Sequence, residues 1–282
     1  MYKYSIDSLF FKEWSSEMAY ILGFSCADGN VYKTTLSWDL AKKYESNKSL
    51  LEDFNRVLKS NYPIVEKKNS FRLSIHNRII IEDIKKLGII PNKKKILIFP
   101  NVPNDFLKDF IRGFLDGDGW ITIRSRGENL KEISIGFSNG SKSFMEDLIY
   151  ELNQKVSLSS NNLRLREKIT PKGIKTKCYQ VEYYSKNAFN ILDYLYGGLK
   201  PSDLFLERKY FKQLEARKIY IRFSRTSRKW RMVEDKFGMD MEEIFFKLVN
   251  EKQLNGVEIG RIFGVHSSSV YRWLEKIRKN GY

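Results

Sequence analysis

Apolar positions along the chain follow two periods. From Glu17 to Ala27 and from Asp109 to Gly117 they run almost unbroken at helical spacing. Each run ends in a small residue, an Asp and a Gly: Ile21-Leu22-Gly23-Phe24-Ser25-Cys26-Ala27-Asp28-Gly29 and Ile111-Arg112-Gly113-Phe114-Leu115-Asp116-Gly117-Asp118-Gly119. Shorter runs alternate with period two and predict strands at 30–33, 35–40, 64–67 and 71–76, then at 120–125, 132–138, 163–167 and 178–184. Between them lie helical stripes. One is Ser49 to Leu58, with Leu50, Leu51, Phe54 and Leu58 on one face; others are Ile79 to Leu87, Ser143 to Val156 and Ala188 to Leu195. The order is helix, two strands, helix, two strands, helix, stated twice.

The motif aspartates Asp28 and Asp118 lie 90 residues apart, and Phe71–Asn77 matches Tyr179–Ser185 at an offset of 108. The second copy therefore carries an insertion, placed in the basic hairpin Arg164 to Lys177 around Pro171-Lys172-Gly173. Residues four apart share a helix face, so Gly23 with Ala27 and Gly113 with Gly117 form small-residue stripes. Two such helices approach closely and bring Asp28 and Asp118 together. An Asp at a helix C-terminus opposes the macrodipole, so helix stability does not explain it. The expected fold is α+β: two pseudo-symmetric αββαββα repeats, 1–100 and 101–216, forming a saddle whose sheets each leave one face free.

Past Glu215 the pattern changes. Seven basic residues and no acid occupy 217–231, read as a basic linker in which Arg225, Arg228 and Lys229 follow a phosphate backbone. Residues 232–282 form a separate helical unit: Asp240 to Glu251, Val257 to Phe263, a turn at Gly264-Val265-His266, and Ser267 to Ile277 opened by a Ser cap. That is the outline of a helix-turn-helix. Ser267, Ser268, Ser269, Tyr271 and Arg272 begin its second helix and face DNA in this reading, while Val270, Trp273, Leu274 and Ile277 form its apolar stripe.

Charge sharpens the picture. Among 282 residues, 50 are basic and 34 acidic, a net +16, which argues for a polyanionic partner. Cys26 and Cys178 have no metal-ligand spacing, so a thiolate zinc site is not expected. The N-terminus lacks a signal-peptide core and no apolar stretch reaches membrane length. The expectation is a cytoplasmic protein in a bacterial or phage context, with an organelle as the alternative. Neither His76 nor His266 is assigned a role.

The duplicated motif resembles that of the LAGLIDADG homing endonucleases in their single-chain, two-copy form. Both copies keep its Gly, small residue, Asp and final Gly. The first departs at Cys26, where the family usually carries an acid that is not the metal ligand. The resemblance implies a site-specific, metal-dependent double-strand break in a long asymmetric DNA target, made by a monomer with no obligate protein partner. It implies Mg²⁺, two or more ions, with Mn²⁺ or Ca²⁺ as substitutes. Asp28 and Asp118 would be ligands, with the backbone at Ala27 and Gly117. It also implies a catalytic lysine near each site, Lys93 (with Lys94 its neighbour) and Lys209. Base and phosphate contacts would come from the strands. The candidates are Tyr32, Lys33, Ser37, Asp39, Lys67, Arg72 and Ser74 in the first copy. In the second they are Arg124, Arg126, Ser138, Arg164, Arg166, Lys175 and Lys177. Two other readings remain on the same scaffold: an intron RNA maturase and a cleavage-inactive DNA-binding regulator.

Overall fold

The computed structural model describes residues 4–90, 96–125, 131–159, 162–169, 175–225 and 227–279. The chain divides into two compact units, Met1–Arg124 with Glu132–Arg217, and Ser125–Lys131 with Lys218–Tyr282.

The first unit holds both copies. Copy one runs α1 (Ser16–Asp28), β1 (Gly29–Tyr32), β2 (Thr35–Ala41), α2 (Ser46–Val57), β3 (Ile64–Glu66), β4 (Ser70–His76) and α3 (Arg78–Lys86). Copy two repeats it as α4 (Leu107–Asp118), β5 (Trp120–Ser125), β6 (Lys131–Asn139), α5 (Lys142–Lys155), β7 (Arg164–Ile169), β8 (Lys175–Tyr184) and α6 (Ser185–Tyr196). Each copy folds its strands into one four-stranded sheet, ordered β1-β2-β4-β3 and β5-β6-β8-β7. Ser15 starts α1 by accepting a hydrogen bond from the Met18 amide at 3.1 Å, a side-chain N-cap. Every residue of α1 from Met18 to Cys26 is buried, so the near-continuous apolar run marks a central helix rather than a surface one.

Alternation fixes the faces of the sheets. In sheet one, Leu36, Trp38, Leu40, Phe71, Leu73 and Ile75 turn inward. Trp38 meets Phe54 of α2 edge-on with centroids 5.1 Å apart, and Phe24 meets the same ring at 5.4 Å. In sheet two, Ile133, Ile135, Phe137, Val181 and Tyr183 turn inward, and Phe114 packs on Phe144 of α5 at 4.8 Å. The opposite faces carry the pairs Ser37↔Ser74 and Asp39↔Arg72 in sheet one, and Gly136↔Glu182 and Ser138↔Gln180 in sheet two.

Residues 217–231, expected as a basic linker, are largely helical. α7 (Glu207–Arg225) runs through most of them and α8 (Arg228–Phe237) begins just after. Basic residues have good helix propensity, and a charge run does not by itself imply an extended chain. Ser227 caps α8 by accepting from the Trp230 amide at 3.2 Å. Trp230 and Arg231, inside the expected linker, are both buried. The core of the second unit gathers Trp230, Val233, Ile244, Phe245, Ile259, Val270 and Trp273, with the two indoles 5.4 Å apart.

Two further expectations change here. The helix expected over 240–251 is α-helical only at Met241–Phe245 (α9) and widens to a π-wound turn over Phe246–Glu251, which keeps Leu248 in the core. α10 (Gly256–Phe263) opens with a capping box between Asn255 and Glu258 and ends at Gly264 in the left-handed region, φ 65°. α11 (Ser267–Lys279) follows. Its cap is not a serine. The Ser268 amide donates to His266 Nδ1 at 3.3 Å and the Ser269 amide to the His266 carbonyl at 2.9 Å. Among the described residues no helix is long and apolar enough to cross a membrane.

Candidate active site and nucleic-acid interface

The small-residue stripes let α1 and α4 cross backbone to backbone. A Cβ on Gly23 would overlap the Phe110 carbonyl, and one on Gly113 would overlap the Tyr20 carbonyl and lie 2.9 Å from the Phe24 amide nitrogen. Since 20 and 23 answer to 110 and 113 on the 90-residue offset, the two contacts are mirror copies about a pseudo-dyad. That axis passes by Ala27 and Gly117, which occupy the same motif position and meet each other. A Cβ on Gly117 would overlap the Ala27 methyl and lie 3.5 Å from the Asp28 amide nitrogen. The next residue in each copy is the motif Asp, so Asp28 and Asp118 end their helices side by side. Both also act electrostatically on the Lys209 ammonium.

This donor set consists of two carboxylates and the backbone oxygens beside them at the ends of two helices. Among the described residues no group of three or more His, Cys, Asp or Glu gathers as a metal cage. An all-oxygen set with few protein ligands fits Mg²⁺, which keeps several waters and is commonly completed by phosphate oxygens.

One residue before that contact, at 26 and 116, the copies differ. Asp116 is buried and accepts three hydrogen bonds, from Tyr20 Oη at 2.7 Å, Tyr196 Oη at 2.8 Å and the Leu206 amide at 2.8 Å. Burial raises its pKa against the pull of Lys209, the Leu206 amide and both tyrosines. Burial and then the Asp116 charge push Tyr20 and Tyr196 well above the ordinary tyrosine value. Sequence reasoning passed over this group. The mismatch between Cys26 and Asp116 was its only signal.

Lys209 is also buried. Its ammonium donates to the carbonyls of Leu115, of Asp116 at 2.8 Å and of Gly119 at 2.7 Å. Three donors meet three acceptors, so Lys209 clasps the C-terminal end of α4. Its pKa is lowered to about 8: burial depresses it most and Arg208 adds to that, against the attraction of Asp116, Asp28 and Asp118. The other expected lysine, Lys93, lies outside the described residues, as do Lys94, Arg126 and the turn at 171–173.

The strand candidates divide by face. Tyr32, Ser37, Asp39, Arg72 and Ser74 share the outward face of sheet one. Asp39 there is engaged by Arg72 Nε at 2.9 Å and Lys67 Nζ at 3.2 Å. Burial pushes its carboxyl up, but hydrogen bonds from Ser70, Arg72 and Lys67 outweigh it and hold the pKa low. Lys67 falls just past β3, and Lys33 sits in the β1–β2 turn with φ 51°.

On sheet two, Arg164 pairs with Gln180 and Arg166 with Cys178, on the parity of Ser138 and Glu182. Lys175 and Lys177 fall on the other parity, and Lys177 is 3.0 Å from Glu167. They do not share a face with the arginines, because one residue of offset reverses a strand side chain. Arg124 is exposed at the end of β5. Glu182 was not foreseen: it accepts from Ser134 at 2.7 Å, Tyr184 at 2.8 Å and Trp120 Nε1 at 3.2 Å. Burial pushes its pKa up, and those donors and Arg124 bring it below the ordinary value. Trp120 lies across Gly136, where any Cβ would strike the indole.

In the second unit, Ser268, Tyr271 and Arg272 are exposed on α11 while Val270 and Trp273 are buried; Ser267 and Ser269 are half-buried. Tyr271 lies against Gly256, where a Cβ would come within 2.5 Å of its ring. Leu274 and Ile277 pack on the core. Lys229 is exposed on α8. Arg225 and Arg228 belong to α7 and α8 by backbone, and their side chains lie outside the described set.

Residues 105–195 match the family model of the LAGLIDADG-like domain. No curated protein sequence matches the chain. Among solved structures, a lysine-to-alanine variant of the meganuclease I-SmaMI superposes with a TM-score of 0.51 at 13% identity, over 75% of this chain and 91% of that one. I-SmaMI bound to an uncleaved DNA target in the presence of calcium ions gives 0.46 at 14% identity, over 75% and 92%. The LAGLIDADG homing endonuclease I-GzeII in complex with its DNA target gives 0.49 at 12%, over 76% and 94%.

Proposed function

We propose that this chain, which carries a LAGLIDADG-like domain over 105–195 and shares the saddle fold of the LAGLIDADG homing endonucleases, is a divalent-metal-dependent DNA endonuclease. It makes a site-specific double-strand break in a long asymmetric target and works as a monomer. The observation that carries this reading is the meeting of Ala27 with Gly117, which sets one carboxylate from each copy beside the pseudo-dyad. A duplex has the same approximate symmetry, so a site on such an axis is offered to both strands.

Asp28 and Asp118, with backbone oxygens at Ala27 and Gly117, would hold Mg²⁺. The ion supplies charge neutralisation at the phosphate and a more acidic bound water. The residues of the chain do the rest. The Gly stripes hold the two carboxylates at one place. Lys209 fixes the carbonyls that end α4. The outward faces of both sheets, including Arg72, Arg164 and Arg166, bind the backbone and read the major groove. The exposed edge of α11, with Ser268, Tyr271 and Arg272, adds further contacts to DNA. The calcium and DNA complexes of I-SmaMI support this choice of partners.

The test is cleavage of a randomised duplex library with Mg²⁺, followed by sequencing of the cut ends. Recovery of one long, non-palindromic site is the expected outcome. An intact, DNA-binding protein that cuts nothing would sink the endonuclease reading.

A further inference from the structure

We propose, resting on the DNA-binding part of the endonuclease reading, that Tyr184 is a specificity-determining residue: fixed by Glu182 as an acceptor of hydrogen bonds, its hydroxyl takes the exocyclic amino group of a base, cytosine N4 or adenine N6, in the major groove.

Strand parity builds the place. Ser134 and Tyr184 form one rung of sheet two, Gly136 and Glu182 the next but one, and Ser138 and Gln180 follow at the same spacing, with Arg164 across from Gln180. These residues share the outward face, because those between them, Ile135, Phe137, Val181 and Tyr183, are in the core. Arg164, Arg166, Gln180, Glu182 and Tyr184 line one depression on that face, where Tyr184 keeps 36% of its surface exposed. The arginines suit a phosphate backbone. The half-buried carboxylate among them repels one. The depression therefore fits a base edge with phosphates at its rim.

Hydrogen-bond direction then fixes the chemistry. Trp120 Nε1 and the Ser134 hydroxyl donate to Glu182 Oε1 at 3.2 and 2.7 Å, and the Tyr184 hydroxyl donates to Oε2 at 2.8 Å. An ionised carboxylate only accepts, so the single hydrogen of the phenol points at Glu182. That bond raises the pKa of Tyr184 above its ordinary value, which keeps the hydrogen in place. What the hydroxyl offers outward is its lone pairs. In the major groove cytosine and adenine present amino donors, where thymine and guanine present the acceptors O4 and O6. A hydroxyl free to turn serves either kind. One whose hydrogen is held by a carboxylate serves the amino bases alone, and Glu182 acts through it as a positioning residue.

The experiment selects bound duplexes from a randomised library in metal-free buffer, with the full chain as wild type, Tyr184→Phe and Glu182→Gln, and sequences them. Tyr184→Phe keeps the ring and removes the lone pairs. In Glu182→Gln the amide oxygen stays opposite Trp120, whose indole only donates, so the amide nitrogen falls opposite Tyr184 and donates to it. The phenol hydrogen then turns outward. Wild type is expected to favour an amino base at one position by about tenfold over its keto counterpart, and the selected sequences say whether it is cytosine or adenine. Tyr184→Phe erases that preference, and Glu182→Gln inverts it toward thymine or guanine. Preferences at the other positions stay, which reports an intact fold. An unchanged preference in either variant, or an equal loss at every position, overturns the proposal. If wild type binds no duplex, the proposal and the endonuclease reading fall together. If the preferences shift as stated and wild type cuts nothing under Mg²⁺, the endonuclease reading alone falls.

Discussion

The two copies agree at the dyad and part company at the residue beside it. At 23, 27, 113 and 117 the residues are Gly or Ala, because helix backbones touch there and nothing larger fits. At 26 and 116 one copy has a cysteine and the other a carboxylate that binds two tyrosines. The sheets show the same split. The outward face of sheet one neutralises itself, Asp39 holding Arg72 and Lys67, whereas on sheet two Arg164 and Arg166 stand opposite Gln180 and Cys178. Duplication preserves what the symmetric contact requires and lets the rest of the two copies diverge.

The largest effect belongs at the point of agreement. Asp28→Asn and Asp118→Asn should each remove cleavage while retaining DNA binding, measured by nicking assay and gel shift on the same samples. Residual cutting by either variant at a substantial rate would mean that one carboxylate suffices and that the symmetric centre is not the site.

Next comes the helix crossing itself. Gly113→Ala drives a methyl into the Tyr20 carbonyl, a backbone atom that cannot swing away, and should cost about 3 kcal/mol of stability, at the upper end of core overpacking. Gly117→Ala meets only the Ala27 methyl. The double variant Ala27→Gly/Gly117→Ala moves that methyl across the axis and should recover most of the loss. Chemical denaturation of the three variants checks this. Failure of the double variant to recover would show that the pseudo-dyad is not where these residues place it.

A smaller effect concerns Lys209. Its pKa in the fold, about 8, lies below the ordinary lysine value of 10.5. Between those values the unfolded chain holds the proton and the folded one does not, so stability rises with pH. The contribution is complete above pH 10.5 and is lost as pH falls through 8. In metal-free buffer the wild type should gain stability from pH 8 to 10 relative to Lys209→Met. Tyr20 and Tyr196 titrate in both proteins and cancel in that difference. Parallel curves would show that the lysine is charged and satisfied throughout.

Much of this was legible in the sequence. The repeat, all eight strands, the central helices and the paired aspartates follow from period, offset and small-residue spacing. These are properties of local backbone geometry. The 217–231 segment was misread because a basic run says nothing about φ and ψ, and Trp230 within it is a core residue. Lys175 and Lys177 looked equivalent to Arg164 and Arg166 because composition ignores parity. The Asp116 group was illegible for a different reason. Its partners stand at 20, 196 and 206, joined only by tertiary folding, and a carboxylate in a motif does not announce its burial.

The smallest effect separates the two sheet faces. Each phosphate contact removed should flatten the dependence of log affinity on log salt by about 0.9. Arg164→Gln and Arg166→Gln should each approach that value, because neither arginine faces a carboxylate across its strand pair. Arg72→Gln should change the slope less. Its charge is partly spent on Asp39, and removing it leaves that carboxylate to Lys67 and Ser70. Titrations of a fluorescent target duplex at several salt concentrations give all three slopes. If Arg72→Gln flattens the slope as much as the sheet-two variants, Asp39 releases its arginine to the DNA and the two faces are electrostatically alike.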